Sequence, residues 1–278
     1  MLGSMDVERL RSEVNEKHHL ITTSDDKILF LREWRSVEES EICILINHGI
    51  TAHSKPYTII GGPLSKAGFT CYGLDLRGHG LSDGGRGDYP NRETLVTDLK
   101  ATHEFLKTRH SRIIVLGHSL GVVTSSVMLD ELQNEIDGIV FLSAARSMRQ
   151  GGLGGRSRIA TLKILFSSIL NPSNPVIHYY REGMTGLDDP LFNFYYTLRF
   201  LKVFNPEKLR LPDRIDVPVY VGVGDMDELF SVEAVESFMK EINAPNKEIH
   251  IFPGAKHAEF PDGSFSSLVD WLNKNFQR

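Results

Sequence analysis

Arg112-Ile-Ile-Val-Leu-Gly-His-Ser-Leu-Gly-Val-Val123 is the stretch whose reading decides the fold. Ile113 to Leu116 is an apolar, β-branched run of the kind a strand buried on both faces carries, and a helical pattern runs from Leu120 to Leu132. Between them, Gly117-His118-Ser119-Leu120-Gly121 has the Gly-x-Ser-x-Gly form of a nucleophile elbow. A serine on so tight a strand-to-helix turn takes up a strained backbone and presents its hydroxyl. Glycines two residues before and two after let the strand and helix pass closely.

Outward from the elbow, strands alternate with helices. On the N-terminal side, His19 to Thr23 and Ile28 to Arg35 read as an antiparallel hairpin about Ser24-Asp25-Asp26. Ile42 to Ile46 reads as a buried strand ending in the loop Asn47-His48-Gly49-Ile50. A helix over Tyr57 to Ala67, a strand over Phe69 to Leu76 and a helix capped by Asn91 follow, the last extending to about Arg109 with Leu95, Leu99, Thr102 and Leu106 on one face. On the C-terminal side, Ile136 to Ala145 and Val217 to Val223 read as strands, Val232 to Ile242 as a helix, Glu248 to Phe252 as a strand and Phe265 to Phe276 as a closing helix. This rhythm implies an α/β fold with a mostly parallel central sheet flanked by helices and a site at the carboxyl ends of its strands.

The rhythm breaks between Arg146 and Asn205. A glycine-rich start, Gln150 to Gly155, leads into two apolar patches with no strand expected between them: Ile159, Leu162, Phe166, Ile169 and Leu170, then the aromatic stretch Leu191 to Phe200. The expected organisation is therefore a core of residues 1–145 and 206–278 interrupted by a helical cap of residues 146–205.

Composition narrows the function. A chain of 278 residues with net charge −5 and no basic stripe gives no electrostatic footprint for nucleic acid. The glycine-rich Asp75 to Gly84 has no Lys-Ser pair, so it is a poor phosphate cradle. Cys43 and Cys71, the two cysteines, each lie in an apolar run and read as buried thiols of a reducing compartment. The N-terminal MLGSMDVERLRSEV lacks the apolar core of a signal peptide, and no run reaches the length of a membrane span. A soluble, cytoplasmic protein is expected.

A serine hydroxyl becomes a nucleophile when a base takes its proton and an acid orients that base. On this type of elbow the order along the chain is serine, acid, histidine, each at a strand end. Of eleven histidines, His257 in Gly254-Ala-Lys-His257 is the one at a late strand end, and is the expected base. His178 falls in the insertion, His250 inside a strand, and His118 is expected to pack beside the turn. The acid lies in Gly224-Asp225-Met226-Asp227-Glu228, where order alone leaves a choice. Two backbone N–H groups, from Leu120 and from the loop at Ile50, are the expected oxyanion donors. No HExxH or comparable spacing supports a metal site, and the chemistry calls for neither metal nor organic cofactor.

With these residues in hand, the chain resembles the α/β-hydrolase superfamily. Within it, the chain is most similar to the monoacylglycerol lipase and lysophospholipase-like esterases. The similarity runs through Asn47-His-Gly49, Asp75-Leu-Arg-Gly-His-Gly-Leu-Ser-Asp-Gly-Gly-Arg-Gly87, Gly117 to Gly121, Gly224 to Glu228 and Gly254 to His257, with Asp98 in the helix after the second motif. The resemblance implies the α/β-hydrolase fold. Its G-x-x-D pattern selects Asp227 as the acid, with Asp225 second. It also implies that the insertion is a lid, with Phe192, Phe194, Tyr195, Tyr196 and Phe200 available to an acyl chain; packing of these rings against the core is an equal alternative. Two positions depart from the family pattern. The His-Gly loop continues Ile50-Thr51-Ala52-His53 without a second glycine or a glutamate, and Val122 stands where a further glycine is usual.

The resulting expectation is a serine hydrolase that cleaves carboxylic esters, monoacylglycerols first, through an acyl-enzyme. The alternatives are a short-chain carboxylesterase or peptidase-like hydrolase, and an inactive binding protein on the same fold. Dehalogenase and epoxide-hydrolase readings are disfavoured, because those relatives carry aspartate where Ser119 stands. Arg146, Arg149, Arg156, Arg158 and Lys163 beside an apolar patch raise contact of the cap with anionic lipid, against the commoner reading of a solvated charged face.

Overall fold

Runs of branched aliphatic residues with no polar interruption form the middle of an eight-stranded sheet. In the computed structural model, which describes residues 6–146, 169–180 and 184–276, the strands are β1 His18–Thr22, β2 Ile28–Trp34, β3 Ile42–Asn47, β4 Thr70–Leu74, β5 Arg112–His118, β6 Gly138–Leu142, β9 Val219–Gly224 and β10 Lys247–Phe252. Their order is β1-β2-β4-β3-β5-β6-β9-β10. β2 pairs antiparallel with both neighbours, and the other pairings are parallel, so β2 alone runs against the rest of this sheet.

Alternation along each central strand feeds two cores. Cys43 and Leu45 of β3, with Ile113 and Val115 of β5, face one side, where α3 Arg92–Lys107, α4 Gly121–Leu132 and α6 Val232–Glu241 pack with Leu95, Leu99, Met128 and Phe238. Ile42, Ile44 and Ile46, with Ile114 and Leu116, face the other, against α2 Thr58–Lys66 and α7 Ser266–Phe276 with Ile60, Leu64, Trp271 and Leu272. Each fully buried Val, Leu or Ile contributes about 1.5–3 kcal/mol, so the sheet is held from both faces. Asn91 caps α3 as expected, its Oδ1 accepting from Thr94 N–H at 2.8 Å. A short helix not foreseen, α1 Val7–Ser12, is capped by Asp6, and its Arg11 donates to Leu81 O at 2.6 Å.

Between β6 and β9 the aromatic stretch differs from the helical expectation. β7 Ile177–His178 pairs antiparallel with β8 Tyr195–Tyr196, and only then does the short helix α5 Leu198–Val203 begin, capped by Thr197. The reason is local. Phe-Asn-Phe-Tyr-Tyr favours extended backbone, and Thr197, itself extended, turns its hydroxyl to Phe200 N–H at 3.1 Å. The first apolar patch lies outside the described residues except for Ile169 and Leu170, both exposed. Of the basic residues beside the first apolar patch, Arg146 is bound to Glu241 at 2.8 Å and to Leu209 O, and Arg149, Arg156, Arg158 and Lys163 lie outside the described residues. Among the described residues no helix is long and apolar enough to cross a membrane.

Candidate active site

The loops that follow β3, β5, β6, β9 and β10 leave one edge of the sheet, because those strands are parallel and in register there: Asn47 lies beside Gly117, His118 beside Leu142, and Gly224 beside Phe252. Ser119 follows β5 at φ 56°, left-handed backbone for a residue with a Cβ. It is held there by Ser119 N–H donating to Leu142 O at 3.0 Å and by Val122 N–H donating to Ser119 O at 3.0 Å. The flanking glycines are sterically required. A Cβ on Gly117 would meet Gly121 O at 2.3 Å, and one on Gly121 would meet Asn47 O at 2.0 Å. Val122, which follows Gly121, is buried.

Ser119 Oγ lies 3.0 Å from His257 Nε2, and His257 Nδ1 lies 3.0 Å from Asp227 Oδ2. Asp227 is fully buried and accepts four hydrogen bonds: Oδ2 from His257 and from Ser143 Oγ at 2.7 Å, Oδ1 from the Leu229 and Phe230 amides at 2.8 and 2.9 Å. Burial pushes this carboxyl up, but the His257 hydrogen bond and charge, with Phe230 N–H and Ser143, outweigh it and hold it at about 2. Asp225, the second choice, turns away and accepts from Gly254 N–H at 2.7 Å. Ser143 was not singled out from the sequence. It follows β6 at φ 53° and reaches across to Asp227; the signal was a polar residue at the carboxyl end of a buried strand.

Ile50 and Leu120 flank Ser119, and among the described residues neither amide N–H has a competing acceptor. The loop bearing Ile50 is fixed from the inserted segment. Thr51, at φ 69°, donates N–H to Tyr196 Oη at 2.7 Å, Tyr196 O–H donates to Asn193 O at 2.7 Å, and Asn193 N–H donates to Thr51 O at 2.8 Å. His53, at the end of that loop, meets Asp189 at 3.0 Å. Arg86 and Gly87 at the end of the resemblance motif, with Asp88 after them, anchor the same segment. Arg86 donates to Leu191 O at 2.6 Å, a Cβ on Gly87 would strike Tyr195 O at 1.8 Å, and Asp88 accepts from Thr197 Oγ1 at 2.9 Å.

A cavity of about 340 Å³ opens on Ser119, walled by Ile50, Ile59, Ile60, Phe192, Leu229 and Phe260. Of the cap rings proposed for an acyl chain, Phe192 reaches it. Tyr196 and Phe200 are fully buried against His79 and Phe204, and Tyr196 holds the Ile50–Thr51 loop. Tyr195 stacks on His178 at the surface, and Phe194 stacks on Phe192. Phe194, Tyr195, Tyr196 and Phe200 therefore do not line this cavity, and for Tyr196 and Phe200 the packing alternative holds. The apolar wall is supplied instead by α2 and the loop after β10.

Among the described residues, His103, Glu104 and Glu135 have cation-holding donors within 4.8 Å of one another. The Lys107 ammonium already rests on Glu135 and lies 4.0 Å from Glu104; His103 and Glu104 lie near the end of α3 and Glu135 in the turn before β6, whereas Ser119 follows the carboxyl end of β5. It does not serve the site.

A serine on a strained elbow, in hydrogen-bond succession with a histidine and a buried aspartate at the carboxyl edge of this sheet, defines an α/β-hydrolase. Residues 38–263 match the family model Hydrolase_4, described as serine aminopeptidase, S33, and the chain belongs to that family. It is 23% identical over 252 residues to the uncharacterized protein YnbC of Escherichia coli, covering 86% of this chain but 43% of that one. It is 23% identical over 271 residues to mouse monoglyceride lipase, covering 90% and 87%. Among solved structures, a monoacylglycerol lipase of Paleococcus ferrophilus superposes with a TM-score of 0.71 at 24% identity, covering 89% of this chain and 99% of that one.

Proposed function

We propose that this hydrolase cleaves carboxylic esters of monoacylglycerol type through an acyl-enzyme formed on Ser119. The observation that carries the reading is the Ser119–His257–Asp227 succession, with both contacts at 3.0 Å, opening into an apolar cavity. Ser119 Oγ attacks the ester carbonyl as His257 Nε2 takes its proton. Asp227 stabilises the imidazolium, and the Ile50 and Leu120 amides receive the oxyanion. His257 then returns the proton to the departing glycerol oxygen, and water attacks the acyl-enzyme by the same route in reverse.

Support for a single acyl chain comes from the cavity, at the small end of the ~300–1,000 Å³ typical of ligand sites, and from the names of the mouse and Paleococcus proteins. The family description favours a second reading, an aminopeptidase. A peptide's N-terminal ammonium needs an uncommitted carboxylate. Those lining this cavity are engaged: Glu228 by His257 N–H, Glu259 by Lys256, and Asp189 by His53.

The test is hydrolysis of monoacylglycerols of graded chain length beside diacyl and triacyl substrates, nitrophenyl acetate and aminoacyl anilides. Each buried methylene is worth about 0.8 kcal/mol, so kcat/KM should rise about fourfold per added methylene until the cavity fills. Phe192→Ala and Ile59→Ala should cost long chains more than acetate. Acetate esters preferred to every longer chain, with triacylglycerol cleaved as fast as monoacylglycerol, would leave a short-chain esterase; preference for the anilides would leave a peptidase.

A further inference from the structure

His118, the variable residue inside the elbow, has both ring nitrogens engaged. Nδ1 lies 2.9 Å from Tyr57 Oη, and Nε2 lies 2.9 Å from the backbone carbonyl of His257. Tyr57 Oη in turn accepts from Gly49 N–H at 2.7 Å. The direction of the chain follows from its ends. Gly49 N–H can only donate and the His257 carbonyl can only accept, so Tyr57 O–H donates to Nδ1, and the imidazole proton resides on Nε2. Burial, then the neighbouring His257, pushes His118 down to about 3, which keeps it in the neutral form this chain requires. Tyr57 and His118 are both buried, at the floor of the cavity that opens on Ser119.

We propose that Tyr57 and His118 are positioning residues that join the oxyanion loop to the backbone of the general base through one directed hydrogen-bond chain. Gly49 immediately precedes the oxyanion donor Ile50, and a Cβ at Gly49 would lie 3.2 Å from Ser119 Cβ. The His118 ring sits beside the His257 ring, centroids 4.8 Å apart, and holds the latter's backbone from below the elbow. One strut therefore sets the spacing between the group that moves the proton and the group that receives the negative charge. Burial of a core tyrosine needs only one partner for its hydroxyl. Here both partners lie on catalytic loops from different strands. The proposal rests on the reading that Ser119, His257 and Asp227 perform acyl transfer.

The test compares Tyr57→Phe, His118→Gln, His118→Leu and the double variant Tyr57→Phe/His118→Leu on a medium-chain nitrophenyl ester, with folding checked by circular dichroism and melting. Displacement of catalytic groups by a fraction of an ångström lowers turnover without loosening a substrate held by an apolar wall. Tyr57→Phe, the mildest change, should lower kcat about tenfold with KM within about twofold. His118→Gln, which retains an N–H in reach of the His257 carbonyl, should recover part of the activity that His118→Leu loses. The double variant should be little worse than His118→Leu, since either change breaks the same chain. Folded single variants with native kcat, or losses that multiply in the double variant, would overturn the proposal. If the native chain itself neither turned over esters nor reacted at Ser119 with a fluorophosphonate, the functional reading would fall and the proposal with it.

Discussion

Ser119 at φ 56° and Ser143 at φ 53° are both strained, at about 1–3 kcal/mol each, and both are held by neighbours that give the strain a use. Ser119 turns its hydroxyl to His257, and Ser143 aims its own at Asp227. A fluorophosphonate should label Ser119, and Ser119→Ala should fold and lose the adduct; mass spectrometry that found the label on another serine would refute the assignment. Asp227→Asn should cost about 10³–10⁴ in kcat by removing the carboxylate that orients His257, while Asp225→Asn, at the Gly254 amide, should cost little. The reverse ranking in steady-state kinetics would make Asp225 the acid. Ser143→Ala removes one of four hydrogen bonds to Asp227 and should lower kcat by about tenfold or less, in line with about 1 kcal/mol for such a bond. An effect as large as that of Asp227→Asn would mean that Ser143 does more than support the acid.

At the scale of elements, the elbow works because a strand and two loops converge where glycine alone fits. Gly121→Ala should destabilise the fold by about 1–3 kcal/mol or more, because its methyl would meet the Asn47 carbonyl at 2.0 Å, a backbone atom fixed by β3. Gly62, in α2, is a milder case. Its added methyl finds only Thr58 Cγ2 at 3.8 Å, but Pro63 follows and disfavours helical backbone for a residue with a Cβ, which offsets the gain in helix propensity, so Gly62→Ala should change stability by less than about 1 kcal/mol. Urea unfolding of the two variants measures both. Equal effects would show that the close approach at the elbow relaxes at no cost.

For the molecule as a whole, the candidate site is tied to global stability through Asp227. Its carboxyl is held at about 2 against an ordinary 3.8, a depressed value, so the stabilisation is complete above about pH 4 and is lost as pH falls through 2. At about 1.4 kcal/mol per unit, this group contributes about 2 kcal/mol. The stability gap between the native chain and Asp227→Asn should therefore narrow by about 1–2 kcal/mol between pH 5 and pH 2.5. A gap that stays constant in urea titrations across that range would show that Asp227 titrates at its ordinary value. The same scale explains the Asp75 to Gly87 motif. Asp75 closes the loop on the Ser54 and Leu81 amides at 2.5 and 2.7 Å, and Arg77 bridges Asp98 and Asp25 at 2.7–2.8 Å, so the motif is a scaffold under the active-site edge.

Sequence by itself determined the features written in local pattern. These are the buried strands, as apolar runs; the elbow, as two glycines about a serine between a strand and a helix; the Asn91 cap; and the order serine, acid, histidine. The strands, the elbow and the cap depend on residues within a few positions of one another, where backbone sterics and side-chain period act directly, and the order follows from motifs each legible locally. Only the tertiary structure decided the rest. Position along the chain left Asp225 and Asp227 open, and resemblance chose between them; in the fold, Asp227 lies 3.0 Å from His257 while Asp225 faces Gly254. Tyr196 and Phe200 looked like an acyl surface, yet one holds Thr51 from 145 positions away and both are buried behind the loop. The Ser143 contact spans 84 positions, and the Gly49–Tyr57–His118–His257 chain ends on a partner 139 positions from His118. Such pairings are made when parallel strands come into register and bring their carboxyl ends together, a long-range event that no window of sequence encodes.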